Sequence, residues 1–137
     1  MARVMIVDDD EDFATAAATV LRSLGHDVGV HLEAHGALDM LEKAKPDLVI
    51  LDVMFPEDSS AGFEIARGIR DRRDTIGSVP VLLLTAVNAK FPLGFGAKDL
   101  SNDFLPADDF LEKPVDMLVL CERTTALLSG KGRTESA

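Results

Sequence analysis

Five short apolar runs, separated by longer segments with helical spacing, constrain the fold of this chain more than any other feature. We expect strands over residues 4–7, 26–30, 48–51, 79–84 and 109–111. The third run, Leu48-Val49-Ile50-Leu51, is apolar at every position, as is typical of a strand covered on both faces. Strands that alternate with helices predict a parallel sheet with helices on both sides.

The segments between the runs predict the helices. We expect helices over 34–43 and 63–73, and a last helix capped by Asp116. For the first helix, which ends near Gly25, the spacing predicts an inward face formed by Phe13, Ala16, Val20, Leu21 and Leu24.

Length and composition restrict the class of protein. The chain has 137 residues, 47% of them hydrophobic, which predicts one globular domain over 1–128 and a flexible tail over 129–137. The net charge of −10 argues against direct binding to nucleic acid or insertion into an anionic membrane. The single cysteine, Cys121, excludes an internal disulfide framework. With no signal-like N-terminus and no long apolar run, we expect a soluble cytoplasmic protein.

Charged and polar residues follow the predicted strands directly. Asp8 and Asp9 follow the first strand, Asp52 the third, Thr85 the fourth, and Lys113 comes just after the fifth. Because ligands bind beyond the carboxyl ends of parallel strands, these groups are expected to meet at one edge. Two carboxylates about 5 Å apart repel by roughly 3 kcal/mol at an effective dielectric near 20, so such a cluster needs a cation. A small set of oxygen ligands suits Mg²⁺, and a carboxylate beside Mg²⁺ and a lysine can accept a phosphoryl group.

The chain resembles the receiver domain of two-component response regulators, of the stand-alone type, from Arg3 to about Leu128. The matching motifs are Val7-Asp8-Asp9, the segment from Pro46 to Pro56, Gly62-Phe63-Glu64, Leu84-Thr85-Ala86 and the segment from Phe110 to Pro114. The resemblance implies a flavodoxin-like, doubly wound five-stranded parallel sheet with strand order 2-1-3-4-5.

The resemblance also implies the phosphorylation and metal sites. Asp52 would be the phosphoacceptor. Asp8 and Asp9 would hold Mg²⁺ together with Asp52, and the backbone carbonyl of Met54 would complete the protein's share of the ligands.

The remaining family positions imply a phosphate-binding and switch set. Lys113 would pair with the phosphoryl oxygens, and its peptide bond with Pro114 would be cis. Thr85 would move to hydrogen-bond the phosphate, with Ala86 beside it, and Phe110 would rotate inward as the switch aromatic. Taken singly, each of these residues has an ordinary structural explanation, so the hypothesis rests on their occurrence together at strand ends.

Two segments depart from the family pattern. The acidic loop over 57–61 is about two residues longer than usual, and we expect it either to alter access for phosphodonors or to slow hydrolysis. The stretch over 88–106 is also long and rich in glycine and proline, which predicts an irregular or shortened fourth helix. We expect Phe91, Phe95 and Phe104 to pack this stretch down rather than to form a partner site.

The resulting functional hypothesis is a phosphoacceptor switch in a two-component phosphorelay. It would not be an enzyme beyond autocatalytic phosphorylation and dephosphorylation. Its expected partners are a sensor histidine kinase or phosphotransfer protein and an unidentified downstream protein, because the chain ends soon after the last helix.

Three alternative functions compete with this hypothesis. One is a degenerate receiver that binds partners without phosphorylation. A Mg²⁺-dependent phosphatase with an aspartate nucleophile needs a second acid two residues on, where this chain has Met54. A flavin carrier is disfavoured because three acids follow the first strand and the chain has no Trp or Tyr.

Overall fold

The computed structural model describes residues 2–52, 61–86 and 108–129, which form a parallel sheet between helices. The strands are β1 Arg3–Val7, β2 Asp27–His31, β3 Leu48–Asp52, β4 Val81–Ala86 and β5 Asp109–Lys113. The helices are α1 Glu11–Ser23, α2 Ala37–Ala44, α3 Ala61–Asp71, α4 Arg73–Ile76 and α5 Met117–Leu128.

The sheet has the order β2-β1-β3-β4-β5, and every neighbouring pair of strands is parallel. This confirms the predicted doubly wound architecture and its strand order. The central strand β3 is buried at all five positions, as its uninterrupted apolar run predicted.

Side chains that alternate along each strand point to opposite faces of the sheet, and they pack into two separate hydrophobic cores. The α1/α5 core takes Val4 and Ile6 from β1, and the α2/α3 core takes Met5 and Val7 from the same strand. Ala14, Ala17, Ala18 and Leu21 of α1 enter the first core, with Leu120 and Leu127 of α5. The second core contains Ala37, Leu41, Ile65, Ala66, Ile69 and Ile76. Both faces of the sheet are therefore covered.

The predicted inward face of α1 is confirmed at Leu21 and Phe13, which pack in the α1/α5 core, and is wrong at Ala16 and Leu24. Ala16 is exposed and Leu24 is 51% exposed, whereas Ala14, Ala17 and Ala18 are buried. Alanines on adjoining sides of this helix make its apolar face ambiguous in the sequence. Leu24 is the C-terminal cap residue, beyond the last helical turn, and so lies off the inward face.

Several element ends differ from their predicted positions. Helix α2 begins at Ala37 rather than Ala34, because Gly36 before it has a left-handed backbone with φ 76°. Helix α3 ends at Asp71, two residues before the predicted end, and the short helix α4, Arg73–Ile76, follows it as an element that the spacing did not predict. Strand β4 begins at Val81, after Pro80, and β5 continues as far as Lys113.

Three predicted features lie outside the described residues. They are residues 57–60 of the long acidic loop predicted over 57–61, the irregular stretch over 88–106 between β4 and β5, and most of the tail over 129–137. Within the described ranges, every helix is too short or too polar to cross a lipid bilayer.

Candidate functional site

The register of the sheet brings the ends of four strands to one edge. Val7 of β1 pairs with Leu51 of β3, so that Asp8 and Asp52 follow at the same level. Asp52 in turn pairs with Leu84 of β4, and Thr85 is the next residue along that strand. At the far side, Lys113 ends β5. The polar strand ends predicted from the sequence therefore lie along one edge of the sheet.

Three carboxylates converge at this edge. Asp8, Asp9 and Asp52 each offer an oxygen that lies within 4.8 Å of the other two. Asp8 is fully buried and Asp52 is 5% exposed, whereas Asp9 is the most exposed of the three. Asp8 Oδ1 accepts a hydrogen bond from the backbone N–H of Asp10 at 2.9 Å, which fixes its side chain at the start of α1. The carboxylates of Asp8 and Asp52 are thus removed from water, while the carboxylate of Asp9 faces it.

Lys113 supplies positive charge to the two buried acids. Its Nζ lies 2.8 Å from Asp8 Oδ2 and 4.0 Å from Asp52 Oδ2, and its side chain is 20% exposed. A buried carboxylate without a cation is costly, because burial removes the water that stabilises its charge. The ammonium therefore stabilises Asp8 first and Asp52 second, and it remains partly accessible from outside.

Phe13 is a residue of this site that the sequence reasoning missed. Lys113 Nζ lies over the Phe13 ring, 4.8 Å from the ring centroid. Phe13 stands in the first turn of α1, where its backbone N–H donates to the Asp10 side chain at 3.1 Å. In the sequence, its closeness to the acidic run is the only signal of this contact, because its spacing predicts a place in the helix core alone.

The donor set fits a divalent cation. Among the described residues of the site, one ammonium faces three carboxylates, which leaves an excess of negative charge when all of them are ionised. The three oxygens lie close enough together to bind one ion. Carboxylate oxygens with a solvent-facing side are the ligands that Mg²⁺ prefers, since this ion retains several of its waters. Asp8, Asp9 and Asp52 could therefore hold Mg²⁺.

The remaining residues of the predicted site are Phe110, Pro114, Ala86 and Met54. Phe110 of β5 is partly buried and packs against the α2/α3 core. The Lys113–Pro114 peptide bond is cis. Ala86 pairs in register with Lys113, which brings the end of β4 beside the lysine. Met54 lies outside the described residues.

Comparisons with known proteins agree with this geometry. The family model of the response regulator receiver domain matches residues 4–125. The transcriptional regulatory protein AfsQ1 of Streptomyces coelicolor is 35% identical over 99% of this chain and 55% of its own length. The alkaline phosphatase synthesis transcriptional regulatory protein PhoP of Bacillus subtilis is 32% identical over 92% of this chain and 48% of its own length. The chain thus spans about half the length of these curated relatives.

Solved structures give the same result. A CheY-like receiver domain protein from Methanospirillum hungatei JF-1 has a TM-score of 0.75 and 29% identity, covering 94% of this chain and 95% of its own. A response regulator receiver protein from Burkholderia phymatum has a TM-score of 0.73 and 29% identity, covering 94% of this chain and 96% of its own. With the family model matching most of the chain, and with the strand order and the acidic strand ends in agreement, the chain belongs to the response regulator receiver domain family.

Proposed function

We propose that the chain is a phosphoacceptor switch that is phosphorylated on Asp52 with Mg²⁺. The observation that carries the proposal is the convergence of Asp8, Asp9 and Asp52 within 4.8 Å, next to the ammonium of Lys113. A nucleophilic carboxylate near a metal site and a lysine has the groups that phosphoryl transfer requires. Asp8, Asp9 and Asp52 would hold the ion, with the backbone carbonyl of Met54 as the proposed fourth protein ligand.

The transfer would exchange one bond to phosphorus for another. A carboxylate oxygen of Asp52 forms a bond to the phosphorus of the donor, and the donor's P–N or P–O bond breaks. The leaving group keeps the electron pair and takes its proton from water. When bound, Mg²⁺ supplies charge neutralisation for the oxygens of the transferring group. The product is an aspartyl phosphate beside Lys113.

The new phosphate would shift the protein between two conformations. Its added charge sits between Lys113 and the end of β4, where Thr85 lies one register step beyond Asp52. In this proposal Lys113 and Thr85 bind the phosphoryl oxygens, Ala86 lies beside them, and Phe110 changes its packing against the α2/α3 core. The phosphate would act by binding one of two pre-existing states more tightly.

The partners follow from membership in this family. Receiver domains pair with sensor histidine kinases, and we propose such a kinase or a phosphotransfer protein as the phosphoryl donor to this chain. The output would pass through a protein that reads the altered surface. Apart from the chain's own phosphorylation and dephosphorylation, we assign it no enzymatic turnover. We further propose that residues 1–128 form the receiver unit, with 129–137 as a tail, and that the protein acts in the cytoplasm.

A labelling experiment tests this function. Wild-type protein is incubated with acetyl phosphate and Mg²⁺, and its intact mass is measured. We expect one added phosphoryl group on the wild type and on Asp71→Asn, a matched loss of an exposed carboxylate at the end of α3, and none on Asp52→Asn. Folded wild type that takes no label would favour the degenerate receiver, and acid-labile label on Asp52→Asn would reject Asp52 as the acceptor.

A further inference from the structure

We propose that Phe13 is a positioning residue that holds the Lys113 ammonium in place for phosphoryl transfer to Asp52. This inference rests on the proposed function and adds a residue to its site. The ammonium of Lys113 is close to two groups, with Asp8 Oδ2 at 2.8 Å and the Phe13 ring centroid at 4.8 Å. The face of an aromatic ring carries partial negative charge and attracts a cation at this distance.

The position of the ring is itself fixed by the start of α1. Asp10 donates its backbone N–H to Asp8 at 2.9 Å and accepts the N–H of Phe13 at 3.1 Å. The ring also packs against the α1/α5 core. One short segment, from Asp8 to Phe13, therefore supplies both the carboxylate and the ring that contact the lysine.

This arrangement would matter because a lysine side chain is flexible. It has a four-carbon stem with several rotatable bonds, and its ammonium is strongly hydrated in water. The Lys113 side chain is 20% exposed, so its ammonium can also turn toward solvent. It lies 4.0 Å from Asp52 Oδ2. Its contacts with the ring and with Asp8 would keep the ammonium near Asp52, which receives the phosphoryl group. A charged group that is already in position does not have to be reorganised during the reaction, so no free energy is spent on moving it.

A purely structural role for Phe13 makes a different prediction. If the ring only fills space in the α1/α5 core, a residue of similar shape serves equally well, whatever its electronic character. If the ring holds a cation, the charge distribution over its face decides the effect. Fluorine substituents withdraw electron density from the ring face while changing its shape little, and so they separate the two roles.

The experiment measures the rate of Asp52 phosphorylation by acetyl phosphate at saturating Mg²⁺. Mono-, di- and trifluorinated phenylalanine are incorporated at position 13 alone. We expect a stepwise decrease in rate, reaching roughly threefold for the trifluorinated ring. The variant Phe13→Leu should be slower by about two- to fivefold, and Phe13→Trp should keep at least half of the wild-type rate.

A matched control separates these effects from loss of packing. Leu128 at the end of α5 is another partly buried contributor to the α1/α5 core. The variant Leu128→Ala should lower the free energy of unfolding and leave the phosphorylation rate within the error of wild type. A rate that is the same for all fluorinated rings would overturn the role of Phe13, even if Phe13→Leu is slow.

Failure of this inference can be told from failure of the proposed function. Normal labelling of the wild type on Asp52, with a flat fluorination series, would reject the positioning role alone. Absence of labelling on the folded wild type would reject the proposed function and the role of Phe13 with it.

Discussion

At the scale of single residues, Lys113 is the described cation that offsets the charge of the buried acid Asp8, at 2.8 Å. We expect Lys113→Ala to lower the free energy of unfolding by about 1–3 kcal/mol when a chelator removes divalent ions, because Asp8 then stays buried without its ion pair. The variant should still bind Mg²⁺, which adds positive charge to the same carboxylates, and Mg²⁺ should recover part of the lost stability. Urea unfolding with and without Mg²⁺ measures both effects.

The control for this prediction is another lysine. Lys43 is exposed in the last turn of α2, so Lys43→Ala should change stability by less than about 0.5 kcal/mol. Phosphorylation of the wild type should change its NMR spectrum, because we propose that it shifts the protein between two conformations. The phosphorylated form of Lys113→Ala should show none of this change. If Lys113→Ala loses Mg²⁺ binding together with its fold, the lysine has a structural role in place of the proposed one.

The residues of the site differ in how far the sequence predicted them. Asp8, Asp9, Asp52 and Lys113 could be found because each lies at the end of an apolar run, and the carboxyl ends of parallel strands meet at one edge. The contact of Lys113 with Phe13 could not be found, since it depends on side-chain geometry between residues at opposite ends of the chain.

At the scale of single elements, the start of α5 depends on Asp116. Its side chain accepts the backbone N–H of Leu118 at 2.8 Å, which satisfies one of the free donors in the first turn. We expect Asp116→Ala to lower the free energy of unfolding by about 1 kcal/mol, and Asp116→Ser to retain most of it, because serine also caps helices. Urea unfolding measures both variants. Equal losses for alanine and serine would show that the cap hydrogen bond contributes little.

Cys121 reports on the packing of α5 through its pH dependence. The thiol is partly buried against the α1/α5 core, and this burial raises its pKa above the ordinary value for cysteine. We expect alkylation of the folded protein to be slower than that of the urea-unfolded protein at mildly alkaline pH, with the difference narrowing as pH rises. Equal rates in both states at every pH would contradict this description of α5.

The same pKa shift has a consequence for stability. The folded thiol keeps its proton at a pH where the unfolded thiol has lost it, so the unfolded state binds fewer protons. The contribution of Cys121 to the free energy of unfolding is therefore fully present below the unfolded pKa. It decreases as pH rises through the folded pKa.

Helix faces and ends were predicted less well than the helices themselves. The alanines of α1 leave its inward side undecided in the sequence, and packing against the sheet selects Ala14, Ala17 and Ala18 over Ala16. The short helix α4 begins where the predicted third helix was expected to end, and no proline or glycine stands between α3 and α4 to signal the break. Helix ends depend on local backbone geometry that apolar spacing does not record.

At the scale of the whole molecule, the strand order places the site. With β1 and β3 adjacent at the centre of the sheet, their carboxyl ends bring Asp8 and Asp52 together beneath solvent-facing Asp9. The alternation of strands and helices predicted the layers, and the family resemblance supplied the order. The sequence could not supply the conformations of 53–60 and 87–107, which also lie outside the described residues.

In the proposed function, the converging acids bind a divalent ion and leave Asp52 open to phosphorylation. Borohydride reduces an acyl phosphate to an alcohol, so that a phosphorylated aspartate is converted to homoserine. We would treat wild-type protein with acetyl phosphate, with Mg²⁺ or with a chelator, then reduce it and map the product by peptide mass spectrometry. We expect homoserine at position 52 in the Mg²⁺ sample alone. Homoserine at another acidic position, or equal conversion of Asp52 in the chelator sample, would contradict it.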